Sequence, residues 1–514
     1  MSYLLKNGTV LLHDDHERVQ VANTDILIEG NKISKIGKDI TAASSATIID
    51  CTDKIISPGF IDTHHHVWQT QLKGRHADQT FLEYMPSGNF THKIFTAEDV
   101  FWGQLGGCLE MIDGGTTAVA DFAHMNMSPE HNYHAISATV ASGLRSVYGY
   151  SFNPRLSSTD PITIDQNGFG GHAMPTFDEL FKASPWADGR VKLGISWDGF
   201  AFAPKEYVDM LMAKINEAKI DLIQTHISWK PGMPSMPQAI DKVGALDGRF
   251  LMAHSNMSKD DADLYRKHGV HYSSTPSTEL QMALAAPVMA FRDDLEVKDL
   301  GSLGVDCHSN NSAYLPGEAR LGLQSARAAR AQVGGLQDPK QVGDEEASEA
   351  NDLLQVAEKK GKVPLTVGYS VEEAFNLATI RGAHAMKMLD QIGSIAEGKL
   401  ADLVIFDANS PSMVCAGIHD PVAAIVLHSS PADVDTVIVD GVVRKQNGKL
   451  LEVQLDDDGK QVAGTGSLKW SDVASNLTRT RRRIQAEAEK IDYKDGESKV
   501  MEAFHIQESD LEDP

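Results

Sequence analysis

The run Asp62-Thr63-His64-His65-His66 places three imidazoles in a row. In an extended strand alternate residues share a face, so His64 and His66 point one way and His65 the other. Two imidazoles on one inward face are a ready pair of ligands for a divalent metal. Alone, such a pair says little. Three more residues of ligand type close other short apolar runs: His226 in IDLIQTHIS, His254 in RFLMAHS and Asp306 in SLGVDCHSNN. Each by itself reads as a satisfied core or capping side chain. Together they set two His, one His, one His and one Asp at four strand ends, which is a metal constellation.

Positioning these groups requires strands whose ends meet. Eight candidates run through the middle of the chain: 59–66, 116–124, 145–152, 191–199, 220–228, 249–255, 270–276 and 302–309. Helix-length segments separate them. In one, Pro204 stands at a helix start and Val208, Leu211, Met212 and Ile215 follow at helical spacing. Eight strands alternating with helices predict an α/β chain folded as a (β/α)8 barrel, with chemistry at the C-terminal strand ends. A doubly wound sheet is the alternative, but the glycine fingerprint after its first strand is missing. Both ends of the chain alternate β-branched residues between turn signals, which predicts one small β-sandwich made from both termini. The expected organisation is 1–56 plus 392–455 as that sandwich, 57–391 as the barrel, and 456–514 as a C-terminal helical tail. The polar stretch 333–362 reads as an exposed loop plus helix. The cluster Arg479, Arg481, Arg482 and Arg483 reads as a helix packed on a neighbour in preference to an interaction tail.

Composition narrows the partners. Of 514 residues, 47 are Lys or Arg and 71 Asp or Glu, a net charge of −24 that excludes a general nucleic-acid or anionic-membrane binder. The four cysteines lie far apart, which fits a reducing compartment and no zinc finger. No secretory signal and no run approaching the ~18 apolar residues of a membrane span is read. A cytoplasmic homo-oligomer acting on a small molecule is expected.

The segments SPGFIDTHHH, GGTTAVADFAH, LIQTHISW, LMAHSNMS, LGVDCHSNNS and AFNLATIRGAHAMKMLDQIGSIAEGKLADLVIFD occur in an order that resembles the amidohydrolase superfamily, in its cytosine deaminase and triazine hydrolase branch. The resemblance implies a distorted (β/α)8 barrel plus the β-sandwich. It makes His64, His66, His226 and Asp306 the ligands of one divalent metal, zinc first and iron(II) or manganese(II) as alternatives. Asp306 would accept the proton of the attacking water and deliver it to the leaving group, and His254 would stabilise charge on the atom under attack. Gln69 matches a position facing substrate. A second metal would need a bridging lysine, and Lys192 lies near its strand's start, away from the site.

Two departures matter. Relatives of this branch carry His-x-x-Glu after the fifth strand, where the Glu protonates a ring nitrogen; here the stretch is His226-Ile227-Ser228-Trp229. The motif after the fourth strand is replaced by Trp197-Asp198-Gly199-Phe200, so Asp198 is either a substitute proton carrier or a helix cap. His124 and His308 are further candidates for the missing acid. Trp68, Trp197 and Trp229 predict an aromatic pocket that, with Gln69 and His124, contacts substrate. A Trp cannot protonate a ring. The expectation is therefore a metal-dependent hydrolase of a C–N bond in a small cyclic or aromatic amide, lactam, urea or carbamate. Deamination or dehalogenation of an N-heterocycle is the alternative, and a non-catalytic scaffold on the same fold the third reading.

Overall fold

The structure is a computed structural model that describes residues 2–227, 234–254, 257–284, 288–334, 366–504 and 506–511. Most of the stretch 333–362 and all of Trp229 lie outside the described residues. Five strands open the chain: β1 (Ser2–His13), β2 (Val19–Glu29), β3 (Lys32–Gly37), β4 (Thr47–Asp50) and β5 (Lys54–Pro58). The barrel follows with β6 (Phe60–His66), β7 (Thr116–Ala123), β8 (Arg145–Ser151) and an outlying hairpin, β9 (Arg155–Thr159) and β10 (Ile162–Asp165). It continues with β11 (Val191–Ser196), β12 (Ile223–His226), β13 (Phe250–Ala253), β14 (His271–Ser274), β15 (Gly301–Leu303) and β16 (Asp306–Cys307). Finally β17 (Leu403–Asp407), β18 (Val434–Val439), β19 (Val442–Gln446) and β20 (Lys449–Leu450) return to the first sheet.

The barrel strands pair in parallel in the order β15-β14-β13-β12-β11-β8-β7-β6-β16. Because β15 and β16 are consecutive pieces of one eighth strand, the two ends of this path join and the ring closes. Closure excludes the doubly wound sheet. Strands buried on both faces need no polar alternation, which is why they read as short apolar runs. Inside the ring, Ile61, Ala118, Ala120, Val147, Leu222 and Leu251 meet Ala383, Ala385, Met386, Met388 and Ile392. An apolar plug therefore seals one end of the barrel. The helix over Lys205–Glu217 buries Val208, Leu211 and Ile215 as its periodicity predicts.

The terminal strands link into a single nine-stranded sheet around a core of their own that includes Leu5, Val10, Ile26, Ile56, Leu403 and Ile438. Arg145 at the start of β8 ties the barrel to it, with Nε 2.7 Å from Asp402 and Nη2 2.9 Å from Asp440. The C-terminal segment is helical over Asp457–Ala463, Trp470–Ala488 and Tyr493–Phe504. Three of its four arginines are engaged: Arg479 pairs with Glu98, Arg483 pairs with Asp99, and Arg481 donates to the carbonyls of Gln71 and Lys73. Packing on a neighbour, not display, is what the cluster does. Among the described residues no helix is long and apolar enough to cross a membrane.

Candidate active site

Four side chains converge where β6, β12 and β16 end. His64, His66, His226 and Asp306 offer ligand atoms that all lie within 4.8 Å of one another, and His64, His66 and Asp306 are buried. Local backbone puts them there. Between Asp62 and His65 the ladder from β6 to β7 slips by one residue, a bulge that re-aims the side chains. Gly304 lets the eighth strand approach, since a Cβ there would stand 2.6 Å from the His64 carbonyl oxygen. Asp306 (φ +66°) and His254 (φ +66°) adopt the left-handed region, which costs a non-glycine residue about 1–3 kcal/mol and is concentrated at functional sites. His65 faces away, as alternation requires, with Nδ1 2.6 Å from Asp62 and Nε2 2.8 Å from His308. That pairing takes His308 out of the cluster.

The outer partners fix what the rings present. His66 Nδ1 lies 3.1 Å from the carbonyl oxygen of Phe122, so it must carry the proton and donate. His226 Nδ1 lies 3.0 Å from each Asp198 carboxylate oxygen and donates likewise. When both rings are neutral their Nε2 lone pairs then face each other at 3.3 Å. The His66 lone pair also faces Asp306 Oδ1 at 3.1 Å, and His64 Nε2 stands 3.1 Å from the same oxygen. Converging lone pairs and a carboxylate repel unless a cation or a proton sits among them, and three imidazoles with one carboxylate suit zinc, iron or manganese. The residues fit a metal.

Charge follows the same arrangement. Burial lowers the His64 pKa well below the usual value, and burial pushes His254 down to about 4. Burial works against the charged form of Asp306, but the imidazoles around it, His254 first and then His64 and His66, outweigh it and hold the carboxyl well below the usual range. For His226 burial is again opposed, here by Asp198, and the pKa is raised. His254 stays outside the four, with Nε2 3.8 Å from Asp306 Oδ2 and Nδ1 3.0 Å from the Thr275 hydroxyl.

The remaining expected site residues divide. Trp68 and His124 are brought to the cluster: the His124 ring lies 4.5 Å from that of His66 and 5.3 Å from that of Trp68. Trp68 Nε1 and His124 Nε2 are buried with no partner among the described residues, as groups awaiting a ligand would be. Gln69 is buried, donates to the Tyr84 hydroxyl at 2.8 Å and accepts from Ser309 at 3.3 Å, so its amide is committed inside the protein. Trp197 is buried among aromatic rings, 5.0 Å from Phe169 and 4.6 Å from Phe200. Packing of a loop helix on the barrel is the role this geometry gives it. Lys192, on β11, lines a cavity with Val147, Leu222 and the plug residue Met386, at the sealed end of the barrel.

Asp198 is not a helix cap. No side-chain cap bond forms; instead the carboxylate takes the His226 backbone N–H at 2.8 Å and its ring N–H, and Asn153 Nδ2 donates to it at 2.7 Å. A carboxylate behind a ligand histidine orients the ring and raises its basicity. Sequence spacing carries no sign of this bond, because it joins two neighbouring strands of the barrel. Also unforeseen were Cys307, whose thiol donates to Asp306 Oδ2 at 3.3 Å, and Glu279, which accepts the Thr275 N–H at 2.9 Å. The one visible trace of the latter is the spacing Thr275-Pro276-Ser277-Thr278-Glu279 at a helix start.

The amidohydrolase family's sequence profile matches residues 55–444. The chain is 27% identical over 473 residues to the 5-methylthioadenosine/S-adenosylhomocysteine deaminase of Carboxydothermus hydrogenoformans, covering 89% of this chain and 95% of that protein. It is 26% identical over 470 residues to the 5'-deoxyadenosine deaminase of Methanosphaera stadtmanae, covering 89% and 96%. Among solved structures, a Xanthomonas campestris adenosine deaminase with bound zinc superposes with a TM-score of 0.72 at 17% identity, over 94% of this chain and 98% of that one. Atrazine chlorohydrolase from Arthrobacter aurescens complexed with zinc gives 0.69 at 19% identity, over 92% and 100%. These two share the fold: a distorted (β/α)8 barrel. Fold, converging ligands and a profile spanning most of the chain lead to one conclusion, that the chain belongs to the amidohydrolase family, hydrolases of carbon–nitrogen bonds other than peptide bonds.

Proposed function

We propose that the chain is a hydrolytic deaminase that releases ammonia from an aminated N-heterocycle, with one zinc ion per chain held by His64, His66, His226 and Asp306. The observation that carries this is the set of lone pairs from those four residues directed at one buried point. The named activities of relatives aligned over nearly their whole length supply the substrate class, and the zinc in the structural neighbours supplies the metal. A divalent ion so held lowers the pKa of water towards ~7 and polarises the bond under attack.

The chain's own groups do the rest. Asp306, held ionised, accepts the proton of the attacking water and passes it to the departing nitrogen. His254, beside Asp306 Oδ2, stabilises charge on the substrate atom under attack. Trp68 and His124 form the wall against which a flat ring lies, and their N–H and ring nitrogen, without a partner among the described residues, meet its edge. A second reading, hydrolysis of a cyclic amide, urea or carbamate, is favoured by the absence of Glu after His226, because such a reaction protonates no aromatic ring. The free cysteines support a cytoplasmic enzyme. Phe202, Tyr207 and Met210, exposed together around one helix start, support a homo-oligomer.

The test is paired. Elemental analysis of purified protein is expected to give one zinc per chain, lost in His66→Ala together with activity. Ammonia release is then measured from aminated purines and pyrimidines, and ring opening from cyclic amides and ureas. Turnover of the second group alone would replace the deaminase reading with the hydrolase one. Two metal equivalents, or none, would sink the ligand assignment.

A further inference from the structure

At the end of the barrel away from the four ligands, a cavity of about 290 Å³ lies between β8, β11 and the plug, with Leu222, just before β12, in its wall. His226 stands four residues further along that strand, so at ~3.3 Å per residue the two sites are roughly 13 Å apart. Three lysines from three different elements line the cavity. Lys192 of β11 is in register with Val147 of β8, which is itself in register with Ala120 of β7. Register partners share a face, so Lys192 sets an ammonium group in a layer where its neighbours set Val147 and Ala120 against the plug. Lys219 and Lys387 each stand one residue past a helix C-cap, after Lys205–Glu217 and Ile380–Ala385, with φ of +51° and +58°. Glycine is the usual residue there, because a Cβ is strained in the left-handed region. Among the described residues no hydrogen bond or ion pair holds any of the three ammonium groups. Asp221, exposed at the rim, is the one acid in the lining among the described residues. Burial pushes the Lys387 pKa down to about 8, and Asp247, the acid that opposes this shift, is itself bound by Arg249 at 2.6 Å. The Ser184 hydroxyl accepts the Leu193 N–H at 3.1 Å, which leaves its own hydrogen for an acceptor in the cavity.

We propose that this cavity binds a small phosphomonoester, whose phosphoryl oxygens take the ammonium groups of Lys192, Lys219 and Lys387 and the Ser184 hydroxyl. The donor set decides the class. Ammonium groups are point charges that suit a compact dianion, and the lining holds no arginine fork of the kind that matches a planar carboxylate. The remaining walls are apolar, with Phe181, Leu193, Met386 and Met388 to receive the organic part of the ester. The volume sets the size: it lies near the lower end of the roughly 300–1,000 Å³ of ligand pockets, room for a phosphoryl group and a body of about one ring. Two lysines kept in a backbone conformation that suits glycine, and three amines without a counter-ion, destabilise the empty protein; an anion bound among them accounts for both. A ligand there joins the plug to the foot of three barrel strands, so it also stabilises the fold. The site is separate from the proposed catalytic centre and stands or falls without it.

Calorimetric titration of the zinc-loaded full chain at low ionic strength tests this, with phenyl phosphate as the probe and inorganic phosphate, benzoate and phenol beside it. Phenyl phosphate is expected to bind once per chain and to raise Tm. Inorganic phosphate should bind roughly tenfold more weakly, because it leaves the apolar wall uncovered, and benzoate and phenol should give no measurable heat. Lys192→Met and Lys387→Gly should each weaken phenyl phosphate by about tenfold or more, the share of one charge-assisted hydrogen bond. Lys387→Gly adds a readout that separates binding from structure: Tm of the ligand-free protein should rise as the left-handed strain is relieved, while the response to phenyl phosphate is lost. Phenyl phosphate that binds both variants as it binds wild type would place the anion elsewhere, on the zinc for example, and overturn the proposal. So would benzoate binding more tightly than phenyl phosphate, inorganic phosphate binding equally well, or no heat from wild type at millimolar phenyl phosphate.

Discussion

Replacing Asp198 with Asn isolates what an outer carboxylate does for a metal site. In the native site one Asp198 oxygen takes both the backbone N–H of His226 at 2.8 Å and its ring N–H at 3.0 Å, and the second oxygen takes the ring again at 3.0 Å. Asparagine keeps one acceptor and turns a donor towards the other position. If its oxygen serves the backbone, its amide confronts the ring N–H, donor against donor. A hydrogen bond to a charged group contributes about 1.5–3 kcal/mol, and losing it frees the ring to rotate or to take the other tautomer. Divided by ~1.4 kcal/mol per decade, that is a 10- to 100-fold loss of zinc affinity, the range found for outer-shell partners of ligand histidines. Competition against a chromophoric chelator at pH 7.5 measures it directly. The zinc-dependent rise in Tm should shrink in step, since a ligand stabilises by the logarithm of its saturation. An affinity within twofold of wild type would refute the argument and reduce Asp198 to a loop anchor.

Other outcomes follow from the same geometry. Asp306→Asn should retain most of its zinc, because an amide oxygen can still ligate, yet lose more than ~100-fold in kcat; a tenth of wild-type rate would require another base. Glu318 is buried with its pKa raised from 4.5 to about 8, so folding favours its protonated form and stability is lost as pH rises through that window. Glu318→Gln should therefore have a higher Tm than wild type at pH 9, with the gap closing by pH 5; parallel curves would contradict this. Arg145→Met strands Asp402 without its partner and should cost about 3–5 kcal/mol in chemical unfolding, with Asp402→Asn in the same chain restoring part of it.

Much of this was legible in the residues because barrel strands are buried on both faces. The run expected over 116–124 is observed as Thr116–Ala123, and that over 145–152 as Arg145–Ser151. The readings overshoot at strand ends: 191–199 shortens to Val191–Ser196 and 220–228 to Ile223–His226, where the chain leaves the ladder. The eighth strand, expected as one piece over 302–309, is broken between Leu303 and Asp306, where Gly304 crosses His64 and Asp306 takes a positive φ. Ligand types at strand ends could be read because they are ends. The bonds behind them could not, since Asp198 to His226 and Thr275 to His254 join neighbouring strand ends and leave no periodic trace. Trp197 is an aromatic near a strand end whose neighbours are other rings.

The helix Trp470–Ala488 has a consequence for the order in which this protein matures. Arg481 reaches the carbonyls of Gln71 and Lys73, and Gln71 Nε2 donates to Thr480 at 3.2 Å. These bonds grip the turn that leaves His66, across a separation of about 410 residues. During synthesis His64 and His66 emerge early, but the turn beside them is unclamped until this helix has been made. Ligand strand and clamp are thus made about 410 residues apart, and the site reaches its final rigidity only after the helix Trp470–Ala488 has been synthesised.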